Sequence, residues 1–122
     1  MIKIGNFVNG QHTFNEGNNK LDIYNPATGE IIGLVSNSTI EDQEKVLASS
    51  EKGFLEWSKF TPLKRSRVIN NFKNIIEENI EDLAKIVSLE HGKTIEDAKG
   101  SITRGLEVVE FACGIPHLIK GE

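Results

Sequence analysis

Along residues 1–36 the apolar positions come in short runs broken by turn residues, whereas beyond Asn37 they recur every three or four positions. The first pattern predicts strands and the second predicts helices. Residues 4–8 form an apolar-rich run that meets Asn9-Gly10, a strong hairpin signal because both central residues of a type I′ turn need positive φ. Thr13 and Phe14 suit the return strand, residues 15–20 a loop, and residues 21–24 and 31–35 two further strands. Between those two strands, Asn25-Pro26-Ala27-Thr28-Gly29-Glu30 is turn chemistry.

The helical part opens with two overlapping capping boxes, Ser38 with Glu41 and Thr39 with Asp42. Ile40, Leu47, Phe54 and Trp57 then fall near one helical face. Thr61-Pro62 starts a second helix whose buried stripe is Val68, Ile69, Phe72, Ile75 and Ile76, with a break at Asn79. A third helix carries Leu83, Ile86 and Val87 and ends near Gly92. Thr94 and Asp97 open a fourth, with Ala98, Ile102, Leu106, Val109 and Cys113 on its apolar face and Pro116 to end or kink it. The fold class is therefore α/β: short strands with a hairpin over residues 1–36, then about four helices over 38–116. Two or three short strands make no stable sheet alone. With the bare end at Lys120-Gly121-Glu122, they predict a fragment whose sheet is incomplete without further sequence.

Composition narrows the function. The 122 residues allow one domain, and 38% hydrophobic with 26% charged residues is a globular balance. A net charge of −4, with the basic residues dispersed apart from Lys64, Arg65 and Arg67, offers no footprint for nucleic acid or an anionic membrane. That basic run reads as a solvated first helical turn. No apolar run approaches the roughly 18 residues of a membrane span. One cysteine and no leader-like N-terminus suit a cytoplasmic setting.

Candidate chemistry is sparse. Cys113 shares a stripe with Leu106 and Val109 and reads as a buried core residue rather than a nucleophile. His12, His91 and His117 show no metal-ligand spacing, and His91 before Gly92 suits a helix C-terminus. The eleven glycines match neither a dinucleotide fingerprint nor a phosphate loop, so no cofactor-binding residue is identified. Arg104 can either pair with Glu107 on its own helix or hold a carboxylate through two parallel hydrogen bonds.

Three stretches resemble the aldehyde dehydrogenase superfamily in order and spacing. They are Phe7-Val8-Asn9-Gly10 followed by Asn25-Pro26-Ala27-Thr28-Gly29-Glu30, then Phe54-Leu55-Glu56-Trp57, then Glu90-His91-Gly92-Lys93-Thr94. The run from Arg104-Gly105-Leu106-Glu107 through Phe111-Ala112-Cys113-Gly114-Ile115-Pro116-His117-Leu118 resembles the methylmalonate-semialdehyde dehydrogenase branch. The resemblance implies an NAD-dependent, CoA-acylating oxidation of a small semialdehyde through a cysteine thioester, in a homo-oligomeric enzyme. It also implies that Arg104 grips the substrate carboxylate, and that residues 1–122 are the incomplete N-terminal part of the NAD-binding domain. The family's catalytic cysteine, general-base glutamate and oxyanion-hole asparagine lie further along, so no catalytic residue is expected here and the isolated chain is expected to be inactive. A hydrolytic aldehyde dehydrogenase and a non-catalytic helical interaction module are the alternatives.

Overall fold

The structure, a computed structural model, describes residues 1–17 and 20–121. Asn18 and Asn19 of the expected loop, and Glu122, lie outside the described residues. The chain parts into two compact units, Met1–Glu56 and Trp57–Glu122. Among the described residues, the buried hydrophobic side chains, Ala84, Ala98 and Leu106, all belong to the second unit.

In the first unit, β1 (Ile2–Ile4), β5 (Ile31–Ser36) and β4 (Lys20–Tyr24) form a sheet in the order β1-β5-β4. β1 runs parallel to β5, with Ile2 opposite Gly33 and Ile4 opposite Val35. β4 runs antiparallel, with Leu21 opposite Val35. Gly33 permits the close approach of β1, since a Cβ there would lie 2.7 Å from the Ile2 carbonyl oxygen. β2 (Asn6–Val8) and β3 (Gln11–Thr13) form a separate hairpin. Its turn has Asn9 at φ 51° and Gly10 at φ 74°, as a type I′ turn demands. The run expected as one strand over residues 4–8 is thus divided at Gly5, its two halves joining different sheets. The strands pair among themselves, yet no large side chain of either sheet is buried.

Helix α1 (Ile40–Trp57) begins in the Thr39–Asp42 register. The Asp42 backbone N–H donates to Thr39 Oγ1 at 3.2 Å, and the Thr39 N–H donates to Asp42 Oδ2 at 3.1 Å, a reciprocal capping box. The apolar positions that share a face of this helix are largely open: Ile40 is 73% exposed, Leu47 61% and Phe54 66%, and Trp57 is half-buried.

The second unit holds α2 (Pro62–Glu78), α3 (Ile80–His91), α4 (Ile95–Ala112) and a short α5 (Ile115–Leu118). The buried stripe expected on α2 is corrected: Val68 is 44% exposed, Phe72 51% and Ile75 50%, and Ile69 and Ile76 are half-buried, because α3, α4 and α5 leave that face partly open. α5 is a helix beyond the expected four. Pro116 stands in its first turn, and α4 has already ended at Ala112, so Pro116 neither ends nor kinks α4. Thr61 and Thr94 cap α2 and α4 through their hydroxyls, and Gly92 closes α3 at φ 78°. The basic run is not simply solvated. Arg65 donates from Nε to the Phe60 carbonyl at 3.0 Å and from Nη2 to the Ser58 carbonyl at 3.1 Å, and Lys64 Nζ lies 3.8 Å from the Phe60 ring centre. Among the described residues, no helix is long and apolar enough to cross a membrane.

Candidate functional site

The site is built on α4, and contacts along its length fix that helix. At its start, Thr94 Oγ1 accepts from the Asp97 N–H at 3.2 Å. In its middle, Ala98 and Leu106 are buried, alongside half-buried Ile102 and Val109. Near its end, Lys73 Nζ of α2 lies 3.5 Å from Glu110 Oε1, and the Ser66 hydroxyl of α2 donates to the Cys113 carbonyl at 2.6 Å. Lys99 of α4 reaches Glu81 of α3 at 2.6 Å, and that hydrogen bond holds the ammonium above the ordinary lysine range. These ion pairs are exposed enough that each contributes little.

Arg104 lies on the exposed side of α4. Its Nε donates to the Gly100 carbonyl one turn earlier at 3.4 Å, a long bond. It makes no ion pair with Glu107 or with any other described carboxylate. The pairing expected from spacing is therefore absent, and the forked Nη end of the guanidinium is not committed to a carboxylate. Val108 and Phe111, one and two turns further on, are 68% and 70% exposed. A fixed cation beside apolar side chains can take a small molecule with a carboxylate at one end and a carbon chain behind it.

A tether that spacing did not reveal leads into this helix. Lys93 Nζ donates to Ser101 Oγ at 2.6 Å, Ser101 Oγ donates to the Asp97 carbonyl at 3.2 Å, and Ser88 Oγ donates to the Lys93 carbonyl at 2.7 Å. A lysine just past a glycine cap, with serines five before and eight after it, was the available signal.

Among the described residues, the other expected residues make no hydrogen bond or ion pair with Arg104. Cys113 is half-buried rather than buried, caps the C-terminal end of α4, and donates from Sγ to the Val109 carbonyl at 3.4 Å. Thiols are activated at helix starts, and this is a helix end. His12 lies on β3 and accepts from the Gly5 N–H at 3.3 Å, while His91 closes α3 and His117 lies in α5. A wholly apolar groove of about 470 Å³ runs over the second unit, lined by Phe72, Ile76, Leu83, Val87, Ile102 and Val109.

A pyrophosphate would need a helix start with free N–H groups and no competing charge. α1, α3 and α4 each carry two acidic residues in the first turn, and α2 begins with Pro62, which has no N–H. Among the described residues, none of these four helix starts suits a pyrophosphate.

The profile of the aldehyde dehydrogenase family matches residues 13–122. Malonate-semialdehyde dehydrogenase 2 of Bacillus mycoides is 41% identical over 117 residues, which is 96% of this chain and 24% of that protein. The acylating mitochondrial methylmalonate-semialdehyde/malonate-semialdehyde dehydrogenase of Homo sapiens is 38% identical over 116 residues, 95% of this chain and 22% of its own. A solved structure from Sinorhizobium meliloti, described as a methylmalonate-semialdehyde dehydrogenase complexed with NAD, superposes with a TM-score of 0.96 at 41% identity. The superposition covers 100% of this chain and 25% of that one. The chain thus spans about a quarter of the length of these relatives and matches the N-terminal part of their fold. By the profile match and by these relatives, the chain belongs to the aldehyde dehydrogenase family.

Proposed function

We propose that this chain is the N-terminal part of the NAD-binding domain of a CoA-acylating malonate- or methylmalonate-semialdehyde dehydrogenase, and that Arg104 grips the substrate's carboxylate. The observation that carries the reading is the state of Arg104. On a helix held at both ends, its guanidinium is exposed, bonded only through Nε to a carbonyl, and unpaired with any described carboxylate. A semialdehyde has one charged end and one carbonyl end. Holding the charged end fixes where the carbonyl lies, so binding energy remote from the reaction lowers its barrier.

The aldehyde is oxidised to an acyl thioester and passed to coenzyme A, NAD taking the hydride. In this reading the catalytic cysteine, the general base, the oxyanion-hole donor and the contacts to NAD come from sequence outside these residues. The acidic helix starts support that assignment for the cofactor. The enzyme is cytoplasmic and homo-oligomeric in the same reading.

The test is a chimera in which this chain replaces the matching 117 residues of the Bacillus mycoides enzyme. The chimera is expected to reduce NAD when given malonate semialdehyde and coenzyme A, with a thioester as product, while the isolated chain gives no turnover. A folded chimera that oxidises neutral aldehydes but not malonate semialdehyde contradicts the proposal.

A further inference from the structure

We infer that Lys93 is a positioning residue for the carboxylate grip, acting through Ser101. This rests on the reading of Arg104 given above and adds to it the group that sets where the guanidinium lies.

Lys93 stands between the glycine that closes α3 and the threonine that caps α4. Both ends of the residue are fastened. Its carbonyl accepts from Ser88, on the last turn of α3, and its ammonium donates to Ser101, in the second turn of α4. Ser101 passes the constraint to the α4 backbone by donating to the Asp97 carbonyl. Ser101 lies three residues before Arg104, and in a helix that separation is a rise of about 4.5 Å and a turn of about 60°. A helical side chain leans toward the N-terminus of its helix. Arg104 does so, reaching back to the Gly100 carbonyl beside Ser101. The tether therefore ends at the turn over which the guanidinium lies.

A purely structural role does not account for the choice of lysine. The first turn of α4 is the end where the helix dipole favours negative charge, and Glu96 and Asp97 occupy it. Lys93 brings a cation to this end, yet it bonds a neutral hydroxyl and pairs with no described carboxylate. A glutamine could donate to a hydroxyl at this turn without that charge. A cation here braces the turn and raises the positive potential beside Arg104, which suits an anionic substrate.

The experiment uses the chimera described above and compares malonate semialdehyde with propanal, an aldehyde of equal length without the carboxylate. Lys93→Met keeps the stem and removes the ammonium. It is expected to raise KM for malonate semialdehyde about tenfold while kcat stays within about twofold, with propanal unaffected. Lys93→Arg, which can still donate to Ser101, is expected to restore most of the loss. Equal loss on both substrates, or no change on either, overturns the inference. Arg104→Ala in parallel separates the two claims. If it leaves the preference for malonate semialdehyde intact, the underlying reading of Arg104 fails. If it abolishes the preference while Lys93→Met does not alter it, only the role of Lys93 fails.

Discussion

Thr39 and Asp42 close the start of α1 by exchanging hydrogen bonds, and each has a testable consequence. The Thr39 N–H holds the Asp42 carboxyl below the ordinary aspartate range. A carboxyl depressed in the folded state adds stability above its unfolded pKa and loses it as the pH falls through the folded one. The Thr39 amide proton should therefore follow the Asp42 titration by NMR, with a midpoint below the ordinary value of about 3.9. A midpoint at or above that value would mean the box does not form. Thr39→Ala is expected to weaken the first turn by about 1 kcal/mol, seen as faster exchange of the Asp42 amide. Sequence offered Ser38 with Glu41 equally well. The structure resolves the tie through a distant partner: Ser38 Oγ accepts from Asn6 Nδ2 at 2.8 Å, which no local pattern reveals. Arg104 was equally ambiguous, since its pairing with Glu107 depended on a side-chain direction that spacing does not specify.

At the scale of elements, spacing located the helices well because caps and breakers are local. Thr61-Pro62, Asn79, Gly92 and Thr94 all stand at helix ends. Burial was less legible, because it depends on what packs against a face. The stripe of α4 is covered by α3 and α2, and Leu106 is only 8% exposed. Leu106→Ala is expected to cost about 2–3 kcal/mol, the low end for a leucine because the site borders an open groove. The loss would be read as reduced hydrogen-exchange protection across α3 and α4. The stripe of α1 follows the same periodicity and is exposed. Gly53 lies within α1, and a Cβ there would meet nothing within 4 Å. Gly53→Ala should therefore raise helicity and stabilise α1 by up to about 1 kcal/mol, as circular dichroism during unfolding would report. A destabilised variant would show that something packs closely over Gly53.

At the scale of the molecule, twenty large hydrophobic side chains are exposed among the described residues, against three buried hydrophobic ones. Single exposed leucines need no explanation, but stripes and a wholly apolar groove do. The isolated chain is expected to bind a hydrophobic dye strongly and to self-associate, and the chimera to do neither. A monomeric, dye-silent isolated chain would favour an independent helical module instead.

The central claim is that Arg104 recognises a carboxylate, and the most direct measurement is steady-state kinetics of Arg104→Ala in the chimera. The expected result is a fall in kcat/KM for malonate semialdehyde of about thirtyfold or more, corresponding to about 2 kcal/mol or more, with propanal changed less than about twofold. An equal fall for both substrates, or no fall for malonate semialdehyde, would contradict it.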